Sequence, residues 1–389
     1  MNNINCLEKK KCTGCMLCVS KCPIDCINIV QDTEGFFYPN VNVEKCVNCG
    51  KCAENCPSLN RIKKNTIKCV YMAQYKDDNK LIKSASGGIG QAMAREIISQ
   101  GGVVYGCIYD DEFVARHTRV DNLDGISKLN GSKYVQSDFS HIYNMLDTDI
   151  KSDKNILIIG TPCQIASAKK YINKDNENII YVDLICHGVP SPKLFNTYLE
   201  WLQSKIGVIK EINFRDKSKK GWGEILYAEG ERKSIYKDAE LDPYYSSFLR
   251  GECFRECCYD CEYSTYERVG DITIGDFWGC QKQHPNSNLN TKDGVSVVII
   301  NTSRGDNFIN KLSDNLELIK SDINKAKVEN SNLYKAAERP VIRNVFYKNA
   351  YKKGIKWLKI RMKNKAYISR RIKNLIPTKV KGIIKSIVR

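Results

Sequence analysis

The chain has 389 residues, with 61 Lys and Arg against 44 Asp and Glu, and 19 cysteines. That length suits two or three soluble domains. No stretch reaches the ~20 apolar residues of a membrane-spanning helix, and Asn2 and Asn3 lead directly to Cys6 and a lysine run without an export signal. An odd cysteine count in such a chain argues against a disulfide framework and for metal ligation in a reducing compartment, so a cytoplasmic protein is expected.

The first predicted unit, residues 1–60, carries one pattern twice: Cys12, Cys15, Cys18, Cys22 with Pro23, and Cys46, Cys49, Cys52, Cys56 with Pro57. Both copies read C-x2-C-x2-C-x3-C-P. Two-residue gaps wrap a loop around a four-iron cube so that three thiolates reach three irons. The fourth cysteine, before proline, ligates the other cluster in two-cluster ferredoxins. The expected ligand sets are therefore Cys12, Cys15, Cys18 and Cys56 for one 4Fe-4S cluster, and Cys46, Cys49, Cys52 and Cys22 for the other. Structural zinc also uses CxxC pairs, but closes with four ligands and needs no third cysteine at the same step. Cys6, Cys26 and Cys69 fall outside the pattern and read as small apolar side chains.

After the charged linker 60–68 the periodicity becomes that of an α/β body. Strands are predicted at 69–75, 103–109, 156–159, 179–185, 272–275 and 295–300, with helices at 89–99 and 193–205. Regions 66–145 and 150–335 divide this body. Ser84 to Gly88 precedes a helix whose amino terminus suits a phosphate. Gly160-Thr161-Pro162-Cys163-Gln164 and Cys186-His187-Gly188-Val189-Pro190-Ser191 each end a strand, and a helix dipole favours a thiolate at Cys163. Each signal alone is weak, since Gly-Gly before a helix is usually a turn and a lone buried cysteine is usually inert.

Taken in order, SASGGIGQAMA, GSKYVQSD, GTPCQIAS, VDLICHGVPSP, the Cys253 to Cys261 group and DITIGDFWG resemble the beta-subunit family of coenzyme F(420) hydrogenases and dehydrogenases, in a ferredoxin-fused bacterial form. The resemblance spans roughly residues 12–346. It implies FAD beside a further 4Fe-4S cluster, and places FAD around Ser86, Gly87, Gly88, Ser132, Lys133 and Tyr134, with Lys133 facing a phosphate or flavin anion. It also implies cluster ligands at Cys253, Cys258 and Cys261; Cys257 is an extra cysteine here. The fourth ligand stays open among Cys163, Cys186 and Cys257, with Cys163 favoured, and a zinc knuckle is the rival reading. Cys107 and Cys280 read as structural. His187 and Asp276 are the acid/base candidates, against the commoner roles of a structural histidine and a turn aspartate.

A chain rich in one-electron clusters needs a cofactor such as flavin for two-electron chemistry. The expected function is an oxidoreductase passing electrons from ferredoxin or another one-electron donor through 4Fe-4S clusters and FAD to an organic acceptor. A non-catalytic electron-transfer subunit and a true deazaflavin-dependent enzyme are the alternatives. The resemblance further implies a polysaccharide-biosynthesis setting.

The last predicted unit, 339–389, is a helical basic tail. It holds 17 Lys and Arg and no acid, which is the whole net charge of +17, so the preceding chain is balanced at 44 of each sign. Trp357, Leu358, Ile360, Met362, Ile368, Ile372, Leu375 and Ile376 are interleaved with these charges, as in an interfacial helix on anionic lipid. Peripheral contact with the inner face of the membrane is expected, and no nucleic-acid partner. A helical extension packed on the body is the alternative.

Overall fold

A computed structural model describes residues 2–375. In its first sixty residues the two cysteine repeats share a backbone as well as a spacing. Gly14 and Asn48, two residues after the first cysteine of each repeat, have φ of 73° and 54°; Met16 and Gly50, two further on, have 59° and 81°. These left-handed kinks turn each loop back on itself. Short helices follow each kink, Leu17–Ser20 and Lys51–Glu54, and pack on one another. A hairpin of β1 (Ile27–Gln31) and β2 (Phe37–Val41) completes this ferredoxin-type unit.

The body contributes, in chain order, β3 (Cys69–Tyr75), β4 (Val103–Tyr109), β5 (Ala115–Val120), β6 (Ile156–Gly160), β7 (Ile179–Leu184), β8 (Ile209–Asn213), β9 (Ile225–Gly230), β10 (Ser234–Asp238), β11 (Ile272–Asp276), β12 (Ser296–Ile300) and β13 (Leu316–Ser321). Eight form one mixed sheet, ordered β13-β3-β12-β11-β7-β6-β4-β5, and β8 to β10 form a separate three-stranded sheet. The central strands are apolar on both sides, as a sheet covered on both faces requires. Val104, Leu157, Ile180 and Val182 pack under the helix Ile89–Ser99, while Val103, Tyr105, Ile156, Ile158 and Ile179 face the opposite layer.

Direction decides where chemistry collects. β4, β6, β7 and β11 are mutually parallel. β3 runs the same way, because β12 is antiparallel to both β11 and β3. The segments after β3, β6, β7 and β11 therefore leave one end of the sheet, the end at which open α/β sheets bind ligands. They are the Ser84–Gly88 turn, the Cys163 helix, the Cys186–His187 loop and Asp276–Trp278.

The tail departs from its expected form. Helices Arg343–Lys353 and Ile355–Arg361 bury Phe346, Tyr347, Ala350, Ile355 and Leu358 in the core beneath the three-stranded sheet. Trp357 packs edge-on against Phe346 at 5.6 Å, and Met362 is also buried. The apolar residues of this stretch answer to tertiary packing. Only from Lys365 does a helix, Lys365–Leu375, bury none of its residues. Ile376 and the expected apolar-basic run after Pro377 lie outside the described residues.

Candidate functional site

The last cysteine of each repeat lies near cysteines of the other, Cys56 near Cys12 and Cys15, and Cys22 near Cys52. Burial pushes the Cys56 thiol up to about 12, with Cys15 and Cys12 of the other repeat among the charges acting on it. Burial also raises Cys18, next to Cys15, Cys12 and Cys56. Cys22 in turn acts on Cys52, whose thiol burial raises. Among the described residues no three His, Cys, Asp or Glu side chains are gathered to hold a single metal ion. A four-iron cube takes its thiolates at separate corners. The Cys12 side of the unit faces the body, whereas Cys49 is exposed.

Docking to the body uses the backbone of the first repeat. Tyr143 Oη donates to the Cys15 carbonyl at 2.8 Å and Gln136 Nε2 to the Thr13 carbonyl at 3.1 Å. At the far side of the unit, Arg343 grips Glu34 with both Nη groups, at 2.7 and 2.5 Å.

A second cysteine group forms where the sheet ends. Cys163 opens the helix Pro162–Ile172, whose amino terminus is closed by a capping box of Thr161 and Gln164. Cys186 follows β7, and Cys257, Cys258 and Cys261 lie in and just after the 3-10 turn Glu256–Asp260. Cys163 lies within electrostatic reach of Cys186, Cys257 and Cys261, and Cys258 within reach of Cys186 and Cys261. The helix terminus does not leave Cys163 an activated thiolate; burial raises its pKa well above the ordinary value.

A buried ion pair stands beside this group. Asp183 at the end of β7 accepts from Arg268 Nη2 at 2.8 Å and Nε at 3.1 Å, from the Val269 and Gly270 amides, and from Thr273 Oγ1 at 2.7 Å. Arg268 also donates to the carbonyls of Tyr263 and Leu184. The segment after Cys261 is thereby fastened to the strand that carries Cys186.

Cys253 is not in this group. It is fully buried in the aromatic core with Tyr244, Phe248 and Tyr347, and its carbonyl accepts from Tyr347 Oη at 2.6 Å. The next residue, Phe254, sets its ring where a Cβ on Gly188 would stand, 2.5 Å away, and this contact leaves Cys253 on the core side of the chain. Of the cysteines expected here, Cys163, Cys258 and Cys261 line one cavity together with Cys186 and Cys257, and Cys253 does not.

A cavity of about 880 Å³ joins these parts. Its wall includes Thr13, Gly14 and Cys15 of the first repeat, all five cysteines of the body group, and the carboxyl ends of the central strands. Ser86, Gly88, Ser132, Lys133, Tyr134, His187 and Asp276 line it as well. Gly87 stands behind the wall: a Cβ there would lie 2.4 Å from the Ala73 carbonyl and 2.6 Å from the Ser296 amide, so packing against β3 and β12 requires glycine. Lys133 Nζ donates to the carbonyls of Lys128 and Asn130, closing the end of the helix Leu123–Leu129, and burial lowers its pKa to about 8. Its ammonium is occupied by those carbonyls. His187 is accessible within the cavity, and the surrounding protein lowers its pKa below the usual histidine range.

Asp276 is held as a carboxylate. Burial opposes its charge, but Arg215 donates to both oxygens at 2.7 Å and Trp222 Nε1 donates at 2.8 Å, so its pKa is lowered. Such a group is a poor proton donor. It orients Arg215, whose guanidinium lies 5.1 Å from the Trp278 ring, itself stacked on Trp222 at 4.5 Å. Buried Lys217 donates to the carbonyls of Leu81 and Ser86, pinning the turn before the helix Ile89–Ser99. Sequence reasoning missed Arg215, Lys217 and Trp278. A loop arginine has no signal of its own until Asp276 is seen opposite it.

Residues 153–326 match the family described as the C terminus of the coenzyme F(420) hydrogenase/dehydrogenase beta subunit, and residues 11–60 match the 4Fe-4S dicluster domain. Among solved structures the protein is similar to a chain of the xenon-derivatized F(420)-reducing nickel-iron hydrogenase complex from Methanosarcina barkeri, at 15% identity and a TM-score of 0.45, covering 71% of this chain and 97% of that one. No curated protein matches. The segment that matches the 4Fe-4S dicluster domain precedes the segment that matches the beta-subunit family and contributes Thr13, Gly14 and Cys15 to the wall of the cavity.

Proposed function

We propose that the chain is an iron-sulfur flavoprotein oxidoreductase that takes single electrons from ferredoxin or a similar donor and delivers them to an organic acceptor in the cavity. The observation that carries this reading is the shared wall: a first-repeat loop, five body cysteines and the Ser86 and Ser132–Tyr134 segments meet around one space. Cys46, Cys49, Cys52 and Cys22 would hold the outer cluster, where exposed Cys49 marks the point of electron entry. Cys12, Cys15, Cys18 and Cys56 would hold the inner one. The body cluster would draw its ligands from Cys163, Cys186, Cys257, Cys258 and Cys261.

The cavity supports a flavin by its size, which falls in the range of small-molecule and cofactor sites, and by the amino terminus of the helix Ile89–Ser99 opening into it. A bound flavin would supply the exchange between one-electron and two-electron chemistry. Around it, Arg215 offers a fixed cation, Tyr134 and Trp278 offer aromatic faces, and His187 is the candidate for proton exchange. Anaerobic purification followed by iron, zinc and flavin analysis tests the reading: about twelve irons per chain and non-covalent FAD are expected. Iron for two clusters with stoichiometric zinc would remove the body cluster. Absence of any flavin would leave a non-catalytic electron-transfer subunit, and oxidation of reduced deazaflavin would identify a deazaflavin enzyme.

Peripheral contact with the inner membrane face is a further part of the proposal, now confined to the end of the described chain. Ile368, Ile372 and Leu375 share one side of the helix Lys365–Leu375 and are 54%, 56% and 77% exposed. Arg370 and Asn374 instead reach back to Glu240 and Asp238. Residues 343–375 carry twelve Lys and Arg and no acid, which suits anionic headgroups. No helix among the described residues is long and apolar enough to cross a membrane.

A further inference from the structure

Among the described residues four arginines are buried: Arg215, Arg255, Arg268 and Arg343. Three have a carboxylate partner, Asp276, Asp183 and Glu34 respectively. Arg255 does not. Its side chain is fully buried, and its three hydrogen bonds go to uncharged oxygens: Nε to the Cys12 carbonyl at 2.7 Å, Nη1 to Gln136 Oε1 at 3.1 Å and Nη2 to the Phe37 carbonyl at 3.0 Å. The guanidinium also lies 3.9 Å from the Tyr38 ring centroid. A buried lysine can shed its proton, but an arginine cannot, and a buried charge without a counter-charge is costly. The groups able to supply negative charge around Arg255 are Cys12, Tyr38, Cys257 and Cys258. These thiols belong to the inner repeat on one side and to the body group on the other.

We propose that the missing counter-charge is that of the ligated clusters themselves, and that Arg255 is their shared cation, raising the reduction potential of the inner and body clusters relative to the outer one. This rests on the electron path proposed above. Each electron leaving the one-electron donor oxidises that donor by one unit and adds one negative charge to the cluster that takes it; no bond forms or breaks. A fixed positive charge beside a cluster favours its reduced form, and net charge and hydrogen bonding are known levers on cluster potential. Cys22, Cys46, Cys49 and Cys52, which would hold the outer cluster, are not among the leading charges acting on Arg255. Electrons are therefore biased inward by a residue that acts through its fixed charge on the clusters.

The test is an anaerobic redox titration followed by electron paramagnetic resonance on intact wild-type, R255K and R255Q chains, each assayed for iron. In R255Q the inner and body clusters should become at least tenfold harder to reduce, a fall of about 59 mV for a one-electron couple. The outer cluster should not move, and R255K should retain most of the wild-type potential. A loaded R255Q protein with unshifted potentials overturns the proposal. If R255Q fails to load iron, R255K decides: loading at near wild-type potentials supports a need for charge, whereas loss of iron in R255K too overturns the proposal in favour of the fork's geometry. Wild-type protein lacking the body cluster would defeat the electron path proposed above, while the inner-cluster shift would still decide the role of Arg255.

Discussion

The two cysteine-rich regions reach similar ends by opposite means. In the amino-terminal unit all eight ligand candidates lie between Cys12 and Cys56, and left-handed kinks at Gly14, Met16, Asn48 and Gly50 turn their loops locally. In the body the cysteines come from three separated segments and meet only because β6, β7 and the turn after Gly251 end at the same place. The first arrangement is written in spacing and is robust to what surrounds it. The second is a property of the sheet, and it fails wherever the fastening of one segment fails.

That contrast is broken most sharply at Asp183. Replacing Asp183 with Ala leaves Arg268 buried without its partner, and should cost about 3–5 kcal/mol. Chemical denaturation should record that loss. Iron analysis of the folded fraction should fall from about twelve to about eight per chain, with the amino-terminal clusters intact. Loss of all iron would mean that the two regions do not load independently.

Cys22→Ala should sharpen the local half of the comparison. With crossed ligation it damages the cluster otherwise held by Cys46, Cys49 and Cys52 and spares the one held by Cys12, Cys15 and Cys18. Cys56→Ala should do the reverse. Spectroscopic loss confined to each residue's own repeat would show that ligation is not crossed.

Gly87→Val separates packing from binding. Its Cβ would meet the Ala73 carbonyl and the Ser296 amide inside van der Waals contact, so a drop of about 1–3 kcal/mol in stability should accompany any loss of flavin. A fully stable variant that nevertheless releases flavin would place the cofactor against Gly87 itself. Comparable in size should be Glu34→Gln at the docking surface, which removes the nearer of the two carboxylates facing buried Arg343 and leaves Glu256 at 3.4 Å. It should destabilise the junction by about 1–3 kcal/mol and speed proteolysis in the 60–68 linker.

The smallest effect on the fold is expected at Ile368 and Ile372. Changing both to Ser removes exposed apolar surface only, so stability should stay within ~0.5 kcal/mol. Binding to anionic vesicles should nevertheless fall, and wild-type binding should weaken with salt and be absent on neutral vesicles. Equal binding to both vesicle types would end the membrane reading.

Local chemistry was enough for the amino-terminal unit, because its ligands are spaced by a few residues and its turns need only left-handed backbone. It was also enough for β3, β4 and the helix Ile89–Ser99, whose bounds coincide with the predicted ones because their apolar runs end at turn residues. What tertiary structure decided is which cysteines of the body line one cavity. Cys253 and Cys257 are four residues apart and equally cysteine, yet the packing of Phe254 against Gly188 turns one into the aromatic core while the other lines the cavity. The same holds for the basic stretch after Glu338. Charge and apolar spacing look alike along its length, but Trp357, Leu358 and Met362 are spent on the core and Ile368, Ile372 and Leu375 are not. Periodicity shows that a helix has an apolar side; only the neighbouring layer decides whether that side is covered.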